Sequence, residues 1–233
     1  MKAAAAVAAV EEVRSGMVVG LGTGSTAAHA VTEIARKLDE GVLEDISGIP
    51  TSQATEDLAA SLGIPLLEPG SAPIDIAIDG ADEIAPDLAL TKGGGGALLR
   101  EKVIAASAAR FVVISDDSKM VDALGSTFAL PLEVARFGIR ITIGALEAMG
   151  RPELRVRDGV TYLTDNGNHV VDLHVAPIAD AGAFDAELHR VPGVLATGLF
   201  VEIADVAYVA NGSGVRKVER PVGDDERGRA TNG

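Results

Sequence analysis

Between residues 16 and 119, short apolar runs alternate with helical patterns, and this alternation constrains the fold more than any other feature. "GMVVGLG" (16–22) reads as a buried strand. "STAAHAVTEIARKLDEG" (25–41) reads as a helix, with Ser25 or Thr26 near its N-cap and Gly41 after its end. The pattern then repeats. "LEDISGIPTS" (43–52), "IDIAIDGADE" (74–83) and "RFVVISDDSK" (110–119) read as strands, "QATEDLAASLG" (53–63) and "ALLREKVIAASAA" (97–109) as helices. Such an order predicts an α/β fold with a doubly wound, mostly parallel, Rossmann-like sheet.

After about residue 128 the pattern changes. "FALPLEVA" (128–135), "PELRVR" (152–157), "GNHVVDLHV" (167–175) and "GVLATGLFVE" (193–202) read as strands. "IRITIGALEAMG" (139–150) and "DAGAFDAELHRV" (180–191) read as helices. The resulting β-α-β-β-α-β order predicts a smaller α+β, ferredoxin-like domain. "DVAYVANGSGVRKVE" (205–219) has the pattern of a hairpin that returns to the first unit. The expected division is a catalytic domain of residues 1–127 plus 203–219, a second domain of 128–202, and a disordered polar tail at 220–233.

Charge and composition exclude several functions. The formal net charge of −14 argues against nucleic acid, whose phosphates need basic faces. The chain has no cysteine, so neither disulfides nor thiolate chemistry is available. No stretch approaches the roughly 18 apolar residues of a membrane span. "MKAAAAVAAVEEVRSG" is apolar only from Ala3 to Val10, which reads as a short helix rather than an export signal. A cytoplasmic protein is the expectation.

Three unusual segments fall on the carboxyl ends of expected strands, where open α/β sheets bind ligands. The first, "GLGTGST" (20–26), has Ser25 where a dinucleotide fingerprint needs its third glycine, and it lacks the lysine of a Walker loop. What remains is backbone N–H groups around Gly24 and three hydroxyls, Thr23, Ser25 and Thr26, at a helix N-terminus. That suits a phosphate monoester, the alternative being an ordinary N-cap. The second, "DGAD", spans Asp79, Gly80, Ala81 and Asp82. Its carboxylates, three residues apart, can face one pocket and exchange protons with hydroxyls, or can form a solvated acidic turn.

The third is "TKGGGGALLREKVIAAS" (91–107). Each glycine costs about 0.5–1 kcal/mol relative to alanine in regular structure, so four in a row imply a local use. A linker does not fit, because regular elements flank them closely. N–H groups of Gly93, Gly94, Gly95 and Gly96 can converge on a developing oxyanion, with Lys92 beside them. Glu101, just inside the next helix, leans back over the glycine turn, because helical side chains tilt toward the N-terminus. Partial burial would strengthen it as a base; the alternative is a glutamate favoured by the helix dipole. A base, a cation, an oxyanion nest, paired aspartates and a phosphate loop fit proton abstraction beside a carbonyl of a sugar phosphate. No metal or redox cofactor is expected. The four histidines are scattered and form no triad.

At this point the chain resembles the type A ribose-5-phosphate isomerases. "GLGTGSTAAHAV", "IAIDGADEI", "KGGGGALLREKVIAAS", "SDDSKMVDALG", "PLEV", "TDNGN" and "PGVLATGLF" carry the resemblance, in family order, over about residues 2–217. It implies cofactor-independent interconversion of ribose 5-phosphate and ribulose 5-phosphate through an enediolate, in the non-oxidative pentose phosphate pathway. It implies Glu101 as the base moving the proton between C1 and C2, and Asp79 in ring opening and in proton transfer between O1 and O2. Asp79 to Asp82 would contact sugar hydroxyls, and Lys92 with Gly93 to Gly95 would stabilise the enediolate. Thr23 to Thr26 and Lys119 would bind substrate at its phosphate end, with Lys2 reaching the same group. Homodimers or homotetramers are implied too. Two rival readings are a non-catalytic sugar-phosphate sensor, which would need neither Glu101 nor Lys92, and a dinucleotide oxidoreductase, which Ser25 and the hydroxyl-ended second strand disfavour.

Overall fold

The computed structural model describes residues 1–220; the tail expected from residue 220 lies, apart from Arg220, outside the described residues. In chain order its first half comprises α1 (Lys2–Val10), β1 (Val18–Leu21), α2 (Ala27–Asp39), β2 (Ser47–Pro50), α3 (Gln53–Ser61), β3 (Ile76–Gly80), β4 (Glu83–Ile84), β5 (Leu90–Thr91), α4 (Leu98–Ser107) and β6 (Phe111–Asp116). The second half comprises β7 (Leu130–Val134), α5 (Ile139–Leu146), β8 (Arg151–Leu154), β9 (Val156–Arg157), β10 (Val160–Thr161), β11 (His169–His174), α6 (Ala181–Leu188), β12 (Val194–Thr197), β13 (Leu199–Phe200), β14 (Val206–Asn211) and β15 (Gly214–Glu219).

Six strands form the central sheet in the order β15-β14-β6-β3-β1-β2. All neighbours are parallel except β15, the antiparallel edge that closes the expected hairpin on β14. The inner strands read as unbroken apolar runs because both of their faces are covered. Ile76 and Ile78 point into a core with Val112, Ile114 and the small residues Ala5, Ala6 and Ala9 of α1. Their neighbours Ala77, Phe111 and Val113 point the other way, against Ile104 and Ala105 of α4. α2 adds Ala27, Ala30, Val31 and Ile34, one helical stripe, all buried. Truncating Ile78 to alanine would cost about 2–5 kcal/mol in lost transfer energy and cavity.

β1 lies between β2 and β3, so the strand order reverses there. The loops leaving β1 and β3 therefore splay apart and open a crevice at their carboxyl ends, the ligand position of doubly wound sheets.

β12-β7-β11-β8 form a second, fully antiparallel sheet backed by α5 and α6. Order and connections are those of the split βαβ unit. Leu130, Leu132 and Val134 alternate into a third core with Leu146, Val171, Leu173 and Leu188.

Two expected strands are each divided. "GVLATGLFVE" is β12 in the second sheet and β13 in a separate three-stranded sheet, β13-β5-β4. Gly198 lies between them, its N–H donating to the Pro131 carbonyl and its carbonyl accepting from the Lys92 N–H. "PELRVR" is β8 and β9, and β9 turns back on β10 instead of continuing the sheet. The run expected over 74–83 stops at Gly80, and Glu83 begins β4 in the three-stranded sheet.

Candidate active site

The loop after β1 enters α2 without the expected side-chain cap, since no capping bond comes from the Thr26 side chain. The Thr23 hydroxyl turns away from the helix into a cluster with Thr51 (2.7 Å), Ser52 (2.8 Å) and Thr55 (3.2 Å). The hydroxyls that end β2 thus anchor the loop from behind. Ser25 and Thr26 remain toward the crevice, and Lys2, at the start of α1, donates to the Ser25 hydroxyl at 3.0 Å. Lys119 arrives in a single 3-10 turn after β6. Its neighbour Asp116 is held below the usual carboxylate range, first by the Ser118 hydroxyl and further by the Ser118 N–H and the charges of Lys2 and Lys119. Both lysines therefore converge on one end of the cavity, which measures about 300 Å³.

The other end is built from charges that hold one another. Asp79, at the end of β3, receives N–H bonds on Oδ1 from Thr23 (3.1 Å) and Gly80 (2.7 Å). A Cβ on Gly22 would fall 2.3 Å from the Asp79 carboxyl, so only glycine lets the two loops meet there. Asp79 Oδ2 pairs with Lys92 Nζ at 2.9 Å, and the same ammonium lies 3.4 Å from Glu101 Oε1. Lys92 also donates to the Gly80 carbonyl at 2.5 Å and sits 5.5 Å from the centroid of the Phe200 ring. Relative exposures of 3% for Asp79, 2% for Lys92 and 5% for Glu101 remove all three from bulk water.

Burial sets the chemistry of this group. It opposes the charge on Lys92, but Asp79 and then Glu101 outweigh it, and the ammonium is held above its ordinary value. Burial pushes Glu101 up to about 8; Lys92 pulls it down, while Asp79 and Asp82 push it further up. Glu101 Oε2 is buried and has no hydrogen-bond partner among the described residues. A carboxylate with a free oxygen and a raised pKa is a base poised near neutrality. A larger cavity of about 660 Å³, lined by residues of α3 and α4, has Glu56, Glu68 and Arg100 in its lining but none of the buried charges.

The paired aspartates do not share one pocket in the way their spacing predicts. Asp82 lines the cavity with Gly80 and Ala81, whereas Asp79 is buried behind Lys92. The glycine nest is also smaller than four free donors. Gly94 N–H donates to Asp82 Oδ2 at 2.8 Å, and Gly96 N–H closes a turn on the Gly93 carbonyl. Gly93, in the left-handed region at φ +108°, and Gly95 have no acceptor for their N–H groups among the described residues, and both line the cavity. Sequence reasoning missed three residues behind this loop: Arg155 and Tyr162, which bond to its carbonyls, and Asp172, which holds Arg155. Nothing in their local pattern marks them; only the packing of the second sheet brings them near.

Fold and site together define a doubly wound α/β protein whose crevice is equipped for acid–base chemistry on a small anion. The family model for ribose 5-phosphate isomerase A (phosphoriboisomerase A) matches residues 47–214. The chain belongs to that family. It is 50% identical over 220 residues to the ribose-5-phosphate isomerase A of Chloroflexus aurantiacus, covering 93% of this chain and 92% of that one. It is 48% identical to a probable ribose-5-phosphate isomerase 2 of Arabidopsis thaliana, over 93% of this chain and 85% of the relative. Among solved structures, the ribose 5-phosphate isomerase of Plasmodium falciparum superposes with a TM-score of 0.92 at 38% identity, over 95% and 98% of the two chains. A D-ribose-5-phosphate isomerase in complex with phospho-erythronic acid gives the same TM-score and identity, over 94% and 97%.

Proposed function

We propose that this cavity interconverts D-ribose 5-phosphate and D-ribulose 5-phosphate with Glu101 as the base. The chain is a ribose-5-phosphate isomerase, an aldose–ketose isomerase of the pentose phosphate pathway. In our reading Glu101 takes the proton from C2 of the open-chain aldose and returns it to C1. The negative charge of the enediolate falls beside Lys92 and the N–H groups of Gly93 and Gly95, donors that are already in position before charge develops. Asp82 meets the sugar hydroxyls. Asp79 keeps Lys92 charged and aimed, and ring opening and the O1–O2 proton transfer run through that pair. Ser25, Thr26, Lys119 and Lys2 take the phosphate, with Gly24 and Thr23 shaping the loop.

The observation that carries this reading is the buried row Asp79–Lys92–Glu101, with spacings of 2.9 and 3.4 Å and one unpartnered glutamate oxygen. The direct test is ribulose 5-phosphate formation from ribose 5-phosphate by the purified chain, with EDTA present and no nucleotide added. Turnover that needs an added metal or nucleotide would overturn the cofactor-free mechanism.

We further read residues 1–127 and 203–219 as the catalytic unit and 128–202 as the α+β unit. The strands of the six- and four-stranded sheets divide along that line. A cytoplasmic homodimer or homotetramer is the assembly we propose. Phe137 and Ile141 support assembly: they are 94% and 79% exposed on the α+β unit, apolar surface of the kind that oligomers cover. Light scattering on the purified chain checks it, and a monomer at all concentrations would exclude it.

A further inference from the structure

The polyglycine loop has two sides, and its back is held by the second sheet. Arg155, between β8 and β9, donates from one guanidinium nitrogen to the carbonyls of Gly93 (2.8 Å) and Gly94 (3.2 Å). The rest of the guanidinium is engaged by Asp172 of β11. Nε donates to Asp172 Oδ2 at 2.8 Å, and the other terminal nitrogen donates to Oδ1. This two-pronged fork fixes the plane of the arginine as well as its position. The pair is largely buried, with side-chain exposures of 11% and 22%. Tyr162 continues the row, its hydroxyl donating to the Gly95 carbonyl at 3.0 Å. Neither Arg155 nor Asp172 lines the cavity in front of the loop.

Peptide geometry carries this contact through to the front. In a trans peptide the C=O and the following N–H point in opposite directions. The unit joining Gly93 to Gly94 gives its carbonyl to Arg155 and its N–H to Asp82, which lines the cavity. The next unit, Gly94 to Gly95, also gives its carbonyl to Arg155, so its N–H points to the side away from the arginine. A glycine run has almost no intrinsic preference for this orientation, because either sign of φ is open to it. A cationic donor on the carbonyl also polarises the peptide and strengthens its N–H as a donor.

We propose that Arg155, fixed by Asp172, is a positioning residue for the isomerisation: it sets the peptides around Gly94 so that the Gly95 N–H donates into the cavity. The inference rests on the site reading above. It gives the α+β unit a part in the reaction, since two of its side chains orient a donor that the polyglycine loop cannot orient alone.

The test is Arg155→Ala in the full chain, assayed with ribose 5-phosphate beside Glu101→Gln. Misplacing a donor by about 1 Å can cost about 100-fold in rate, so kcat should fall by about 10- to 100-fold with KM changed far less. Millimolar guanidinium, well below denaturing levels, should restore part of the lost kcat in Arg155→Ala and none in Glu101→Gln or in the native enzyme. Arg155→Lys, which cannot fork to Asp172 and both carbonyls, should be impaired too. A kcat for Arg155→Ala within twofold of native overturns the proposal. So does a loss that follows a fallen Tm and that guanidinium leaves unrepaired. If Glu101→Gln keeps near-native kcat, the site reading itself falls; if it is inactive while Arg155→Ala is normal, only the positioning role falls.

Discussion

The two ends of the cavity are built on opposite principles. At the end we assign to the reaction, Asp79, Lys92 and Glu101 are buried in one row of ion pairs. At the end we assign to the phosphate, Ser25 is exposed, and Thr26, Lys2 and Lys119 are half-buried, with water within reach of each. Low dielectric makes the first end expensive to build and chemically potent, because moving one charge changes the basicity of the next. The second end needs only a positive field and hydrogen-bond donors for a phosphate, which exposed groups provide at little cost in stability. Substitutions at the reacting end should therefore act on kcat and its pH dependence, and those at the anion end on affinity.

The largest expected effect is at Glu101. Glu101→Gln should lower kcat by about 1000-fold or more, since general-base catalysis alone accounts for ~10²–10⁴. Calorimetric titration should still show the sugar phosphate binding. Near-native turnover would break the comparison at its root. Lys92→Met comes next, with about 100- to 1000-fold lost from kcat as an oxyanion donor disappears.

The pH profile sharpens the same contrast. As the base we propose, Glu101 must be ionised to act, so kcat/KM of the free enzyme should rise with pH through an apparent pKa near the value of about 8 to which burial lifts it. Lys92 favours the ionised form, and its loss should move this limb to higher pH in the residual activity. Asp82 disfavours it, so Asp82→Asn should move the limb to lower pH. Limbs that stay fixed in both variants would mean that the titrating group is not Glu101.

Lys119→Ala should weaken affinity for ribose 5-phosphate by about two- to fivefold, the scale of one partly exposed ion pair, and less so at high salt. Binding of unphosphorylated ribose should change little; equal losses on both sugars would remove the phosphate role.

The smallest effect is on stability. The folded pKa of Glu101 is raised above its ordinary value of 4.5, so its contribution is complete below about 4.5 and is lost as pH rises through about 8. Over that window the native Tm should fall relative to Glu101→Gln in thermal scans. Parallel Tm curves would contradict the burial of this carboxylate.

Much of this site was legible along the chain, because its parts are local. Glu101 lies one turn inside α4, and the helix geometry that aims it back over the glycines is a property of any helix. The alternation of strands and helices through residue 119 placed two of the three candidate loops on the ends of β1 and β3, and the parallel sheet follows from it; the polyglycine loop instead follows β5 of the three-stranded sheet, a strand the pattern did not mark. The division of "GVLATGLFVE" was not legible, because a strand passing from one sheet to another has the same apolar pattern as an unbroken one. Nor was the fate of Asp79: a spacing of three residues brings two carboxylates near each other but does not say which will be closed off behind a lysine.

By itself, then, the order of residues determined which groups could be reactive and in which loops they stand, since propensity and periodicity act over a few neighbours. Tertiary structure decided which of those groups lost their water, which glycine donors stayed free, and that Arg155, held by Asp172 of the second sheet, would bond to the loop's carbonyls. Burial and long-range contact depend on how whole sheets pack, and no short window of sequence contains that information.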